Sequence, residues 1–457
     1  MRKIIIAALV CSVAFLSCDV GIGSGSAAST KVQDNRIPED FLGLVHAGQL
    51  AVRYPEVTET EYELIGQLGA KWLLRTFNWS DIERGDDNWD FDGTKGGGFN
   101  HDRFVDEAYK RGYKVFAVLA YDNESVTGTT GKNSYIPEAS YPQFAEYVTE
   151  TIKRYGPKIG GYSIWNEPNE NPRFWDGTPQ EIIALSLSTA QAARQAINQY
   201  NPNGQLVVGV LNSLAINDWT EGFFKNDTAR SAMLLTDGIA FHPYMPGGQR
   251  SADLFSSYQN LVAQWGFDKK LWITEVGYPM GGGQYVSRVD VDRGPEEVIK
   301  TITLLAARGA RTAFWYQLFD EDTDQVPEDA EDWFGLALYN TGTQTITEKK
   351  GLRAYALCGK NIPGSLYRPD LAVPEGVQAY WFQKGETGSL IFWTDPLAAD
   401  GTTAVTVRLP GSDQTRYDIV TGAGTAIGAN ATYDVGRTPV FLTWKSAEGF
   451  SPSISVP

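Results

Sequence analysis

Residues 160–170 read GGYSIWNEPNE, an apolar run of strand length that stops on Asn166-Glu167 with Pro168 directly after it. A proline pushes the residue before it out of the right-handed helical region. The expectation is that Glu167 stands at the extended end of a buried strand and not on a helix. Seven more runs share this texture: FLGLVHAG (41–48), KWLLRTF (71–77), KVFAVLAY (114–121), QLVVGVLN (205–212), GIAFHPY (238–244), KLWITEV (270–276) and RTAFWYQL (311–318). Most are apolar on both faces, as parallel strands covered on both sides must be.

Amphipathic stretches of helical period lie between the runs. They include TETEYELIGQLGA (58–70), YPQFAEYVTETIKRYG (141–156), TPQEIIALSLSTAQAARQAINQY (178–200) and GPEEVIKTITLLAARGA (294–310). Several carry proline in the first turn and end on glycine, the usual start and stop signals. Eight such βα units predict an α/β fold, a closed (β/α)8 barrel over residues 38–362. A doubly wound open sheet would want a G-x-G-x-x-G loop after an early strand, and the sequence has none there. After Gly364 the texture changes. VQAYWFQ, SLIFWTD, TAVTVRLP, RYDIVTG and PVFLTWK alternate with Gly/Asp/Thr turns, which predicts a small antiparallel β-sandwich over 363–457.

Charge and cysteine usage narrow the function. The net charge of −16 excludes the clustered basic surface that a nucleic-acid backbone requires. Met1-Arg2-Lys3, an apolar run from Ile4 to Phe15 and Leu16-Ser17-Cys18 read as an export signal over 1–18. Its end is lipobox-like, with Cys18 as the acylated residue, although Phe15 stands where leucine is expected. The Gly/Ser/Ala-rich stretch that follows reads as a flexible tether over 19–37. The expected location is the cell surface or periplasm as a lipoprotein, or otherwise secretion, with membrane contact only through that lipid. Cys358 alone remains in the body, so no internal disulfide can form there.

In a barrel of this kind the residues at the C-terminal ends of the strands face the site. Those ends offer His46 on the first run, Arg75 followed by Asn78 and Trp79 on the second, Asn166-Glu167 on the fourth, His242 and Tyr244 on the sixth, Glu275 on the seventh and Trp315 on the eighth. Glu167 and Glu275 each end an apolar run and are three βα units apart, so they can face each other across the mouth. Two carboxyl groups flanking one bond are what glycoside hydrolysis needs: an acid for the leaving oxygen and a carboxylate on the other side.

With these residues in hand, the chain resembles the clan A glycoside hydrolases, retaining β-glycosidases on a TIM barrel. Trp165-Asn166-Glu167-Pro168 and Ile273-Thr274-Glu275 with Gly277 carry the resemblance, and Arg75, His242-Pro243-Tyr244 and Trp315 add to it. The layout is nearest to family 39 and family 5-like members. The resemblance implies Glu167 as acid/base and Glu275 as nucleophile, with a carbohydrate substrate and no cofactor. It further implies Asn166 on the sugar 2-hydroxyl and Arg75 holding Glu275 ionised. Tyr244 would donate to Glu275, His242 would line the same wall and Trp315 would be a stacking floor. His46, Asn78 and Trp79 are expected in the site from position alone.

Other readings stand beside this one. A barrel that captures glycan without cleaving it would have no need of both carboxylates. A lyase or aldolase would want a Schiff-base lysine or a metal cluster at strand ends, and neither is visible. Three scattered histidines without a cysteine cluster give no transition-metal site. Asp320, Asp322, Asp324 and Glu331 have the spacing of a calcium loop. Gln325 takes the glycine position and Pro327 follows it, so a solvated loop is expected there.

Overall fold

The computed structural model describes residues 35–456 except 97, 133, 213–217, 282–288, 324–328, 395–401 and 447–449. The signal, Cys11, Cys18 and the tether up to residue 34 lie outside the described residues. Asn35–Ile37, counted with the tether in the sequence, are packed: the Ile37 amide donates to Ser365 O at 2.8 Å, and Ile37 is buried.

Eight parallel strands close into a barrel in sequence order. They are β1 (Leu42–Val45), β2 (Trp72–Asn78), β3 (Lys114–Ala120), β4 (Ile159–Ile164), β5 (Gln205–Asn212), β6 (Gly238–His242), β7 (Lys270–Val276) and β8 (Thr312–Trp315). Each falls on one of the eight apolar runs. Helices at Thr58–Leu68, Tyr141–Tyr155, Pro179–Tyr200 and Gly294–Ala307 fall on the four amphipathic stretches. The longest starts on a full capping box, Thr178 and Glu181 satisfying each other's backbone N–H groups.

The lower half of the barrel is filled by four aromatic rings, Trp72, Phe116, Trp272 and Phe314, which touch one another edge to face or tilted. Each sits over a glycine of another strand: the next one for Phe116, Trp272 and Phe314, and the next but one for Trp72. A methyl group at Gly160 would come 2.7 Å from the Trp72 ring and one at Gly161 2.9 Å from Phe116, while Gly43 and Gly238 underlie Phe314 and Trp272. This plug sets the inward parity. Counting by twos from Trp72 brings Thr76 and Asn78 to the axis, and from Phe314 it brings Tyr316.

A small sheet of β9 (Phe319–Glu321), β10 (Ala337–Asn340) and β11 (Thr345–Glu348) follows β8, and the helix Gly351–Asn361 completes the barrel. The sequence reading did not resolve this sheet, whose strands are three or four residues long. The C-terminal β-sandwich has one sheet of six strands, built on Val377–Lys384, Thr387–Thr394 and Val440–Lys445, and one of three strands around Thr403–Arg408. Only the first two residues of RYDIVTG are strand. The strand is Ser412–Tyr417, and Asp418 then takes the amides of Val420 and Thr421 into a turn. Among the described residues no helix is long and apolar enough to cross a membrane.

Glu61 ties the β1 loop to the barrel. Its fully buried carboxylate accepts the amides of Gly48 and Ala51, both at 2.6 Å, and so anchors the short helix Leu50–Arg53. Glu61→Ala leaves both amides unpaired in the interior. It is expected to destabilise the fold by about 2 kcal/mol or more and to lower the melting temperature by several degrees; an unchanged calorimetric transition would refute this role.

Candidate active site

The chain past β4 does not continue as a strand. Trp165 and Glu167 both take left-handed backbone conformations, φ 66° and 43°. The expectation of an extended Glu167 is therefore corrected. Pro168 does bar the right-handed helix, but the residue escapes into the left-handed region, and the turn swings its carboxylate over the axis. His46, after β1, is left-handed too, at φ 58°. Non-glycine residues held this way are strained and cluster where function needs a particular side-chain direction.

Glu167 and Glu275 come together as the spacing suggested. Their nearest carboxylate oxygens and a nitrogen of His242 all lie within 4.8 Å of one another. His242 is the link: its Nδ1 is 2.5 Å from Glu167 Oε1 and 3.5 Å from Glu275 Oε2. Thr274 Oγ1, 3.0 Å from Nε2, fixes the ring from behind. The Tyr244 hydroxyl donates to Glu275 Oε2 at 3.0 Å, and Asn212 Nδ2 donates to Glu167 Oε2 at 3.2 Å. The β7–β8 pairing slips between Ile273 and Val276, and this irregularity brackets Glu275, as bulges beside active sites do. Gly277 is required next to it, because a side chain there would run into the Tyr316 carbonyl.

The electrostatics follow from burial. Desolvation is the largest influence on Glu275 and pushes its carboxyl up, to about 7; Glu167 adds to the rise, while His242 and the Tyr244 hydroxyl oppose it. Burial pulls His242 down, but the two carboxylates outweigh it and its pKa is raised. Glu167, His242 and Glu275 are also close enough together to hold a cation. The 2.5 Å contact between His242 and Glu167 is shorter than an ordinary N–H···O bond, as charge-assisted hydrogen bonds are.

The other expected residues divide. Asn166 lines the cavity beside Glu167 and hydrogen-bonds the Tyr121 hydroxyl. Trp315 does not line it. Phe314 belongs to the plug, so Trp315 points outward against Tyr278 and Tyr355, 1% exposed, and Tyr316 takes the wall. Trp79 is also withdrawn, fully buried against Tyr147 with its indole N–H on Glu83 at 2.6 Å. Arg75 does not pair with Glu275. Its guanidinium lies 3.3 Å from the centre of the Phe99 ring and donates to Gln49 at 2.9 Å. Burial and nearby Arg53 lower its pKa to about 9. His46 donates from Nδ1 to Gln317 at 2.6 Å; burial pushes its pKa down to about 4, so the ring is neutral. Asn78 bonds Asp81 at 3.0 Å. His46, Arg75 and Asn78 line an adjoining cavity of about 390 Å³; the carboxylate cavity measures about 350 Å³, and the two share His46, Thr76, Tyr121 and Glu331.

The sequence reading passed over several residues of the site. Asn212 ended the fifth run without distinction, yet it holds Glu167, and Asn169 grips its backbone through both amide atoms. Glu170, two residues past Pro168, lines the cavity with Arg173, Phe174, Tyr316, Glu331 and Phe334. The described residues of the calcium spacing are engaged elsewhere. Asp320 pairs with Lys349, Asp322 takes Thr341, and Glu331 turns to the mouth; Asp324, Gln325 and Pro327 lie outside the described residues.

No family model matches the chain. A β-xylosidase of Caldicellulosiruptor saccharolyticus is 28% identical over 118 residues, which span 23% of this chain and only 24% of that enzyme. Among solved structures, a family 39 glycoside hydrolase from Bacteroides cellulosilyticus WH2 superposes with a TM-score of 0.68 at 16% identity, covering 91% of this chain and 82% of that one. The fold is that of family 39 and family 30 glycoside hydrolases. A monomeric β-xylosidase from Caulobacter crescentus CB15 gives a TM-score of 0.59 at 14% identity, over 90% of this chain and 97% of its own. A family 30 endoxylanase from Clostridium papyrosolvens C71 gives 0.57 at 16%, over 91% and 98%. At these identities the likeness establishes the fold, and the chemistry has to come from the site.

The Tyr244 hydroxyl stabilises the ionised form of Glu275. Its removal in Tyr244→Phe is expected to raise the Glu275 pKa further, by about one unit. Carboxyl ¹³C NMR across a pH titration reads this directly; an unshifted midpoint would exclude the contact.

Proposed function

We propose that the protein is a retaining β-glycoside hydrolase acting on β-linked oligo- or polysaccharides by double displacement. The separation of the carboxyl groups carries the reading: oxygens within 4.8 Å leave no room for a water between carboxylate and sugar. Retaining enzymes hold the two groups about 5–5.5 Å apart and inverting ones about 6.5–9.5 Å. Glu275 attacks the anomeric carbon and forms the glycosyl ester, while Glu167 gives its proton to the leaving oxygen. Glu167 then takes a proton from water, and that water cleaves the ester. Asn166, next to the acid, is placed for the sugar 2-hydroxyl. Aromatic walls from Tyr121, Phe174, Tyr316 and Phe334 replace the stacking floor first expected of Trp315. The resident donors suit the roles: Tyr244 favours the carboxylate form of Glu275, and His242 exchanges a proton with Glu167. Residues 1–18 support export, with Cys18 as a lipid anchor that would hold the enzyme at a membrane surface.

The similar proteins point the same way in their own names, xylosidase and xylanase, without fixing the sugar here. Capture without cleavage is the competing reading, and it gives no reason to bury two carboxylates against each other. Glu275→Gly is expected to lose turnover of aryl β-glycosides by several orders of magnitude, and azide should restore it with formation of the inverted glycosyl azide. Turnover without azide would remove Glu275 as nucleophile. Glu167→Ala is expected to keep good leaving groups reactive and to lose poor ones. Equal loss on both, measured as kcat/KM across a leaving-group series, would take Glu167 out of the acid role.

A further inference from the structure

β4 and β8 are four places apart in a closed ring of eight strands, so they stand on opposite sides of the axis. The segments that follow them nevertheless meet. Arg173, after β4, pairs with Glu331, after β8, Nη2 to Oε1 at 3.1 Å. Both residues line the carboxylate cavity. A contact between segments from opposite strands has to cross the mouth.

Each half of the crossing is held in place. The second oxygen of Glu331 accepts the Tyr316 hydroxyl at 3.2 Å. The Arg173 guanidinium lies 4.6 Å from the centre of the Phe174 ring, and that ring stacks on Tyr121 at 5.8 Å. The Phe174 carbonyl accepts the Trp165 indole N–H at 2.7 Å, which ties the segment back to the residue before Asn166-Glu167. Glu331 belongs to the walls of both cavities, with Arg75 and Asn78 on one side and Glu167 and Glu275 on the other. The cleft is therefore continuous beneath the pair and bridged above it.

We propose that the Arg173–Glu331 pair is a strap across the cleft that confines attack to chain ends. A β-linked chain enters end first beneath the strap, and the middle of a long chain cannot be laid into the site from above. This rests on the glycosidase reading. The pair is exposed, 56% and 41% by side chain, so it contributes little to stability and can be cut without unfolding the barrel.

The test compares wild type with Arg173→Ala and Glu331→Gln on soluble xylan, mixed-linkage β-glucan and galactan and on their oligosaccharides. Calorimetry confirms that each variant is folded. Wild type is expected to release a single short product from the first minutes, with viscosity falling slowly for each reducing end formed. Both variants are expected to give products of mixed length and a several-fold steeper fall in viscosity per reducing end. Glu331 also acts on the charge of Glu275, whereas Arg173 can be removed without deleting that carboxylate. A changed product pattern in Glu331→Gln alone would therefore overturn the strap, as would a single product from both variants. Mixed lengths from wild type defeat the strap and leave the glycosidase standing. No hydrolysis of any polymer or oligosaccharide defeats the glycosidase reading, and the strap with it.

Discussion

Four aromatic rings seated on four glycines decide how this barrel is filled. Trp72, Phe116, Trp272 and Phe314 occupy its lower half, and Gly43, Gly160, Gly161 and Gly238 give up their side chains to admit them. A packed interior of this density leaves no freedom to rotate a strand about its own axis. Since side chains alternate, fixing one inward residue fixes its strand up to the next irregularity, such as the slip in β7 that lets Glu275 reach the cavity. The polar layer above the plug follows from this: Thr76 and Asn78 on β2 and Tyr316 past β8 face the mouth, and Trp315 is turned into the shell.

Above the plug the structure concentrates costs that a merely stable protein would avoid. A buried carboxyl group, Glu167, and a half-buried one, Glu275, lie within 4.8 Å of each other, and three non-glycine residues, His46, Trp165 and Glu167, hold left-handed backbone. Like charges at that range resist joint ionisation, and burial strengthens the effect. Donors are supplied to match: His242 between the carboxylates, Tyr244 on one and Asn212 on the other. Local strain and poised protonation at one spot, on an otherwise regular barrel, are how a fold sets aside stability for chemistry.

Much of this was legible in the chain. The eight strands could be read because parallel strands covered on both faces are apolar throughout. The two carboxylates could be read because each breaks such a run at its end. The walls of the site were harder to see. Arg173, Phe174, Glu331 and Phe334 lie in ordinary loop sequence, and nothing local marks a residue whose partner is on the far side of the ring; Asn212 ends β5 on an amide that looks like any other strand end. Arg75 was expected beside Glu275 from its strand. It stands at the outward parity of β2, one off from Thr76, and so reaches Gln49 and Phe99 instead.

GGYSIWNEPNE shows where the two kinds of information part. The sequence by itself determined that a buried strand ends there on a carboxylate, and that a second carboxylate ends another strand three units on. Apolar runs and proline act on the nearest few residues, so a sequence can carry them. That Gly160 and Gly161 make room for Trp72 and Phe116, that Glu167 is left-handed, that Asn169 holds β5, and that Tyr316 rather than Trp315 faces the cavity were decided only when the ring closed. Those choices depend on steric fit between strands far apart in the chain, and closure is the step at which such strands first meet.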